Sequence, residues 1–447
     1  MDIMLILQIV VLLGAIFVGI RLGGIGIGYA GGLGVVILGL ALGMKPGAIP
    51  WDVILIIMSV IAAISAMQLA GGLDYLVQIA ERILRSNPKY INYLAPTVTY
   101  FLTILAGTGH TAFSMIPVIV EVAKEQNIKP SAPLSIAVVS SQIAITASPV
   151  SAAVVYMTGV LEPLGWSYPL LLAIWIPTTF IGCMLTALII TMFSNLDLSS
   201  DPIYQDRLAK GLVKPSVGAQ NMQLKEGAKL SVGIFLIGVL LVVLYATAIS
   251  KIGGEPVLIE NVIVPRDAAI MSFMLSVATF IVVFCKVETG KIVESSVFKS
   301  GMVACVCVLG VAWLGNTFVE GYTTQIKALS EEWVKQVPAL LAVIFFFAAT
   351  LLYSQAATAK TITPVAIAAL GISVANPGDS YMIVASFAAV SALFVLPTYP
   401  TLLGAVQMDD TGSTRIGKYI FNHAFLVPGV LAIAFSVALG FAAVAIV

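Results

Sequence analysis

The 447-residue sequence predicts an all-α polytopic membrane protein made of two inverted repeats, with about ten spanning helices and two re-entrant hairpins. Three observations predict this class. Hydrophobic residues make up 60% of the chain and charged residues only 10%, where a soluble domain carries about 25% charge. Apolar runs of about 20 residues, enough to cross a hydrocarbon core of about 30 Å, recur along the chain. A polar stretch at 195–228 divides the sequence almost in half.

The balance of basic and acidic residues argues against a nucleic-acid-binding protein. Twenty-two basic and 22 acidic residues cancel, so the sequence offers no broad positive field for nucleic acid. The N-terminal residues lack the basic start of a cleavable signal peptide, so we expect the first apolar run to remain as a spanning helix. The lipid bilayer is therefore the expected surroundings, and nucleic acid is not an expected partner.

Ten apolar runs are long enough to span the membrane. They are 3–20, 22–44, 52–71, 132–158, 168–194, 229–249, 267–285, 300–318, 381–408 and 423–446. Two further apolar stretches, 91–126 and 338–371, have room for two short helices each and are interrupted near the middle by small polar residues. We predict that both are re-entrant hairpins that enter and leave on one side, which requires protein or water to satisfy the exposed backbone.

The positions of Lys and Arg favour this topology. With the N-terminus outside and both hairpins non-crossing, 16 basic residues fall in the inside loops and five in the outside loops. Short cytoplasmic loops are enriched in Lys and Arg. Ten spans then place the C-terminus outside as well.

The two halves share the order of their elements. The first repeat is predicted over 1–194, the cytoplasmic linker over 195–228 and the second repeat over 229–447. Each repeat has three spans, an amphipathic segment, a hairpin, an interrupted span and a last span, and the halves start on opposite sides, as in many secondary transporters. The amphipathic segments, 72–86 and 320–336, are predicted to lie along the membrane surfaces. Solvated connecting loops are the alternative.

Four interruptions place polar residues at mid-membrane depth, at 106–111, 146–151, 354–360 and 397–401. A new helix begins at each, and a helix N-terminus has free N–H groups and about half a positive charge. Pro149 and Pro400 suit the first turn of such a helix. Four N-termini that meet would form an anion site in two halves, which suits two carboxylates. The alternative is a set of kinks in structural helices, with hydroxyls bonded to the preceding turn.

The predicted substrate-binding residues come from these interruptions. One side of the site is expected to contain Thr108, Thr111, Ser148 and Ser151, and the other side Gln355, Thr358, Thr398 and Thr401. Lys360 is the charged residue placed deepest in the apolar region, so we expect it to contact an anion, with snorkelling to the surface as the alternative. His110 either donates to a carboxylate or is a satisfied core imidazole. No catalytic residue, metal site or cofactor is predicted.

The same segments resemble the anaerobic C4-dicarboxylate transporter (Dcu) family of bacteria. The resembling stretches are RLGGIGIGYAGGLGV (21–35), AAISAMQLAGGLDYL (62–76), AGTGHTAFSMIPVIVEVAKEQ (106–126), VVSSQIAITASPVSAAVVYM (138–157), LLYSQAATAKTITP (351–364) and LPTYPTLLGAVQMDDTGSTRIGKYIFNHAF (396–425). The hairpin tips are also distantly similar to the Ser-Asn-Thr tips of the ion-transporter superfamily that includes sodium–dicarboxylate symporters. Here Gly107-Thr108-Gly109 and Ser354-Gln355-Ala356 stand in their place.

The resemblance implies a secondary transporter that exchanges or takes up fumarate, succinate, malate and aspartate across the bacterial inner membrane. It implies fumarate/succinate antiport during anaerobic growth. The distant similarity to the ion-transporter superfamily implies a homodimer with an elevator-type mechanism, and we expect hairpins and broken spans to move against a scaffold of spans 3–71 and 229–318. The charge pattern and the number of spans place both termini on the periplasmic side.

Other functions remain as alternatives. The first is a sodium- or proton-coupled symporter of citrate or another organic anion. An ion channel would need a continuous polar pore, and the sequence has only short central interruptions. An intramembrane enzyme is disfavoured because no nucleophile–base pair, HExxH motif or pair of intramembrane aspartates occurs. The sequence therefore predicts a transporter and not an enzyme.

Overall fold

The computed structural model describes residues 3–22, 25–214, 223–252, 255–322, 324–325, 337, 339–397, 399–419 and 421–447. These residues are mainly helical, as predicted. A two-stranded antiparallel hairpin, β1 (Lys251–Ile252) with β2 (Glu255–Pro256), is the exception to the all-α prediction.

The first half contains nine helices among its described residues. They are α1 (Ile3–Leu22), α2 (Gly26–Val36), α3 (Trp51–Leu69), α4 (Gly72–Ser86), α5 (Ile91–Ala106), α6 (Ala112–Glu125), α7 (Ser131–Ile143), α8 (Ala152–Leu161) and α9 (Tyr168–Phe193). A π-helical turn, Ile37–Ala41, extends α2. Short 3₁₀ turns continue α7 through Ala147 and follow α8.

The linker contains α10 (Pro202–Ala209), and the helices of the second half follow it. They are α11 (Ala228–Ala248), α12 (Arg266–Phe284), α13 (Ser296–Cys307), α14 (Trp313–Gly321), α15 (Leu340–Leu352), α16 (Gln355–Ala369), α17 (Tyr381–Ser386), α18 (Pro400–Met408) and α19 (Leu426–Val444). A π-helical turn, Val308–Ala312, joins α13 to α14.

Seven helical segments of the described chain are long and apolar enough to cross a membrane. They correspond to seven of the ten predicted runs. The other three runs form α1, the shorter α2 with its π turn, and the interrupted segment α17–α18. The chain is thus a multi-pass helical membrane protein.

Both predicted hairpin stretches form pairs of short helices that pack against each other. The first pair, α5 and α6, has 16 and 14 residues, and the second, α15 and α16, has 13 and 15. At about 1.5 Å per residue none of the four is longer than about 24 Å, which is short of a hydrocarbon core of about 30 Å. Gly107 and Tyr353 end the first helix of each pair in the left-handed conformation.

The packing between the two halves is reciprocal. Helix α3 packs on α12 while α2 packs on α13 and its π turn; α6 packs on α18 while α8 packs on α16; and α9 packs on α19. At the α2 contact the backbones approach closely, since a Cβ on Gly28 would meet the carbonyl of Val306 and one on Gly310 would meet the carbonyl of Gly28. The glycine-rich run at 19–39, which includes α2, thus permits close helix packing.

The two predicted amphipathic segments have different outcomes. The first forms α4, which buries Leu73, Val77, Ala80 and Leu84 on one side. Most of the second, residues 326–336, lies outside the described residues.

The described part of the linker contains a helix and makes contacts to the rest of the protein. Its helix α10 begins at Asp201, whose carboxylate accepts hydrogen bonds from the amides of Ile203 and Tyr204. Arg207 donates to the Asp410 carbonyl at 2.8 Å. Lys124 of α6 donates to the Lys214 carbonyl of the linker at 3.0 Å and pairs with the Asp410 carboxylate at 3.1 Å. The linker is therefore tied to the ends of α6 and α18.

Candidate functional site

A cavity of about 290 Å³ lies where the four interruptions meet. Each new helix contributes residues from its start or from the turn before it. These residues are Gly107, Thr108 and Phe113 at α6; Val150, Ala152 and Ala153 at α8; Ser354, Gln355 and Ala356 at α16; and Tyr399 and Pro400 at α18. The remaining wall, from α2, α3 and α13 with its π turn, is mainly apolar and includes Ile27, Ile56, Val60, Val303 and Val308.

The helix starts give the cavity its electrostatic character. In the described part of the chain no acidic, lysine or arginine side chain lines it. The first amides of each helix have no intrahelical acceptor, and each N-terminus carries about half a positive charge. Four such ends around one cavity favour an anion without a fixed cation in the wall.

Two of these helices are capped by serine side chains. Ser151 Oγ accepts from the Val154 amide and Ser354 Oγ accepts from the Ala357 amide, both at 3.2 Å. Pro400 occupies the first turn of α18, as predicted. The prediction for Pro149 is wrong: α8 begins at Ala152, because Ser151 rather than Ser148 is its cap.

A buried amide network joins the two halves beside the cavity. Gln142, fully buried at the end of α7, donates from Nε2 to Thr401 Oγ1 at 3.2 Å. Gln355 donates from Nε2 to the backbone carbonyl of Gln142 at 3.1 Å, and the same Nε2 makes a longer 3.4 Å contact with the side-chain Oε1 of Gln142. Gly109 lies against the same amide, since a Cβ there would meet Gln142 Nε2 at 2.6 Å. Both tips therefore meet at Gln142.

Of the predicted site residues, Thr108 and Gln355 line the cavity. Four hydroxyls instead bond within the protein. Ser148 donates to the Ile104 carbonyl at 2.6 Å, Ser151 to the Ile145 carbonyl at 2.7 Å, and Thr358 to the Ser354 carbonyl at 2.7 Å. Thr111 lies 3.1 Å from Thr103 Oγ1 and 3.2 Å from the Thr108 carbonyl.

The other predicted residues have separate positions. Thr401 is fully buried as the acceptor for Gln142. Lys360, on α16, forms an ion pair with Asp52 in the first turn of α3. Thr398 and the side chain of His110 lie outside the described residues.

Sequence reasoning missed three polar residues at the site. Gln142 could have been found from the sequence, because it is a polar residue in an apolar run just before an interruption. Tyr353 and Tyr399 line the cavity with ring centroids 6.3 Å apart. In the sequence nothing distinguishes these two tyrosines from the other aromatic residues of apolar runs. Only the left-handed turn at Tyr353, with φ of 54°, brings its ring beside α2.

Comparison with known proteins gives one consistent family. The family described as anaerobic C4-dicarboxylate membrane transporter matches residues 4–447. Similar proteins include the C4-dicarboxylate transporter DcuA of Wolinella succinogenes, 66% identical over 98% of both chains. DcuA of Helicobacter pylori is 64% identical over 97% of both chains, and DcuA of Escherichia coli is 58% identical over 98% of both.

A solved structure shares the overall fold. The YdaH transporter of Alcanivorax borkumensis superposes with a TM-score of 0.50 over 92% of this chain and 87% of that chain, at 15% identity. At this identity the likeness concerns the fold alone.

Proposed function

The chain belongs to the family of anaerobic C4-dicarboxylate membrane transporters, and we propose that it exchanges one C4-dicarboxylate for another by an elevator-type movement. Fumarate and succinate are the proposed pair, with malate and aspartate as further substrates. As a C4-dicarboxylate transporter it is not an enzyme. The proposed place is the bacterial inner membrane, with both termini periplasmic, during anaerobic growth.

The observation that carries this proposal is the meeting of four helix starts at one cavity. Each carboxylate of a C4 acid needs several donors, and helix amides from the two repeats supply them on two sides. Thr108 and Gln355 add side-chain donors from the two hairpin tips. Ser148, Ser151, Thr358 and Thr401 then act by holding the helix starts in place, since their hydroxyls bond within the protein.

The cavity wall supports division into two bodies. Its polar residues come from the hairpins and interrupted spans, whereas α2, α3 and α13 present mainly apolar side chains. An apolar wall makes few directional bonds that would have to break when the other body moves along it. We propose that 3–71 and 229–318 form the scaffold of a homodimer. The reciprocal packing of the two halves supports inverted repeats.

Counterflow in proteoliposomes tests the exchange. Vesicles loaded with succinate are expected to take up labelled fumarate faster than empty vesicles at the same external concentration. The assay is run with and without sodium and with the pH gradient collapsed. Uptake into empty vesicles that equals the loaded rate and depends on sodium or on a proton gradient would contradict exchange and favour the symporter alternative.

A further inference from the structure

An ion pair joins the proposed scaffold to the proposed moving body. Lys360 Nζ on α16 contacts Asp52 Oδ1 on α3. These residues are 308 positions apart in the chain, and their side chains are 26% and 37% exposed. A neutral contact lies near them, since Thr361 donates to Asn316 Oδ1 of α14.

The pair is located next to the cavity. Asp52 precedes Ile56 by four residues on α3, and Lys360 follows Ala356 by four residues on α16; both Ile56 and Ala356 line the cavity. Residues four apart lie on the same side of a helix, one turn or about 5.4 Å apart along the axis. The pair therefore lies about one turn beyond the substrate cavity.

The pairing changes the role expected for Lys360. An unpaired ammonium would favour substrate simply as a resident positive charge. In the structure a carboxylate of the protein already neutralises it, and that carboxylate belongs to the other body. A substrate carboxylate that approaches Lys360 takes over donors of its ammonium and repels the carboxylate of Asp52, so the two anions compete for it.

We propose that Asp52 is the residue that couples movement to substrate, as a protein-borne competitor of the substrate carboxylate for Lys360. In the empty carrier Asp52 holds Lys360 and ties α16 to α3. When a dicarboxylate enters, one of its carboxylates replaces Asp52 as the partner of Lys360. This replacement breaks the contact between α16 and α3. The substrate carboxylate then moves together with Lys360, so the charge of the ammonium stays compensated. The inference rests on the proposed exchange function, and it assigns to the Asp52–Lys360 ion pair the role of disfavouring movement of the empty carrier.

This competition predicts how exchange and net uptake respond to Asp52. Asp52→Asn removes the tie while Lys360 and the cavity wall remain. We expect the ratio of counterflow to net uptake to fall about 5- to 150-fold, the usual range for coupling between two sites, mainly because net uptake rises. Succinate affinity should be equal or tighter, since the competing carboxylate is gone. Asp267→Asn, which removes an acidic residue from the first turn of α12, is the matched control and should keep the wild-type ratio.

Charge retention separates coupling from packing. Asp52→Glu keeps the carboxylate and is expected to retain most of the exchange preference. Lys360→Met removes the shared ammonium, so adding Asp52→Asn to it should change the ratio no further. An unchanged ratio in Asp52→Asn with wild-type melting temperature, or additive effects in the double variant, would overturn the proposal.

A cross-linking measurement does not depend on transport. The pair Asn316→Cys with Thr361→Cys leaves Asp52 and Lys360 in place, and these two positions are in contact between α14 and α16. A short bifunctional thiol reagent should join them in the empty protein, and saturating succinate should slow the reaction several-fold by separating α16 from the scaffold. The single-cysteine variants report the background from the four native cysteines. Cross-linking at the same rate with and without succinate refutes the competition. Wild-type protein without counterflow refutes the exchange function itself, whatever Asp52 does.

Discussion

Replacing Gln355 by alanine tests the site at the residue that both lines the cavity and bridges the two halves. Its Nε2 has two hydrogens. The backbone carbonyl of Gln142 accepts from Nε2 at 3.1 Å, and Gln142 Oε1 makes a poorer contact at 3.4 Å. A substrate carboxylate would replace the poorer contact with a charge-assisted bond. Losing such a bond costs about 1.5–3 kcal/mol, so we expect succinate to bind about 10- to 100-fold more weakly to Gln355→Ala.

The assay is equilibrium binding of succinate to purified protein, with the melting temperature as the test of folding. Gln68→Ala is the matched control because Gln68 bonds to Ser296 and the Val297 amide away from the cavity, and its affinity should stay within about twofold of wild type. Gln355→Glu, of the same shape but anionic, should bind even more weakly than Gln355→Ala. A folded Gln355→Ala variant with wild-type affinity would refute the reasoning.

Gln142 acts through Gln355, so its substitution should lower the melting temperature more than the succinate affinity. Gln142→Ala leaves the backbone carbonyl that holds Gln355, so affinity should fall less than in Gln355→Ala. The buried Thr401 hydroxyl, however, loses its donor. An unsatisfied buried polar group costs about 1–3 kcal/mol, so the main expected effect is a lower melting temperature. Equal loss of affinity in both variants would contradict this order.

Two further predictions concern stability. Gly310→Ala places a methyl group against the Gly28 backbone and should destabilise the protein by about 1–3 kcal/mol. Gly32→Ala is the control, because Gly32 has open space around it and the substitution should not destabilise the protein. Equal melting temperatures for the two variants would show that α2 does not pack as described. Burial opposes ionisation of Asp201, but hydrogen bonds from two amides and a nearby lysine outweigh it and lower the pKa of this carboxyl. Its stabilisation of α10 is therefore present above the unfolded value of about 3.9 and lost as the pH falls through the lower folded pKa. Hydrogen exchange of α10 should show this acid-dependent loss in wild type and not in Asp201→Asn, and the same acid profile in both would contradict it.

The spans and breaks follow from local sequence. An apolar run of about 20 residues has few alternatives to a helix in lipid, because unpaired backbone groups are costly there. Clusters of small and hydroxyl residues inside such a run mark where a helix stops, and a break between helices occurs at each of the four predicted interruptions. The third break is shorter than predicted, because residues 355–360 already belong to α16. The glycine-rich run is likewise explained by local composition, since side chains as small as hydrogen permit close approach.

Which polar group faces the cavity depended on the tertiary structure. Ser148 and Ser151 belong to one short turn and look equivalent in the sequence, but each hydroxyl bonds to a carbonyl of the protein once the helices are packed. Lys360 looked uncompensated because no acidic residue lies near it in the sequence, and its partner Asp52 is 308 positions away. By itself the sequence determined the membrane class, the helix breaks and the family, because these depend on local hydrophobicity and on motifs. Only the tertiary structure decided the pairing of charges and the lining of the cavity, because both depend on distances between segments that are far apart in the chain.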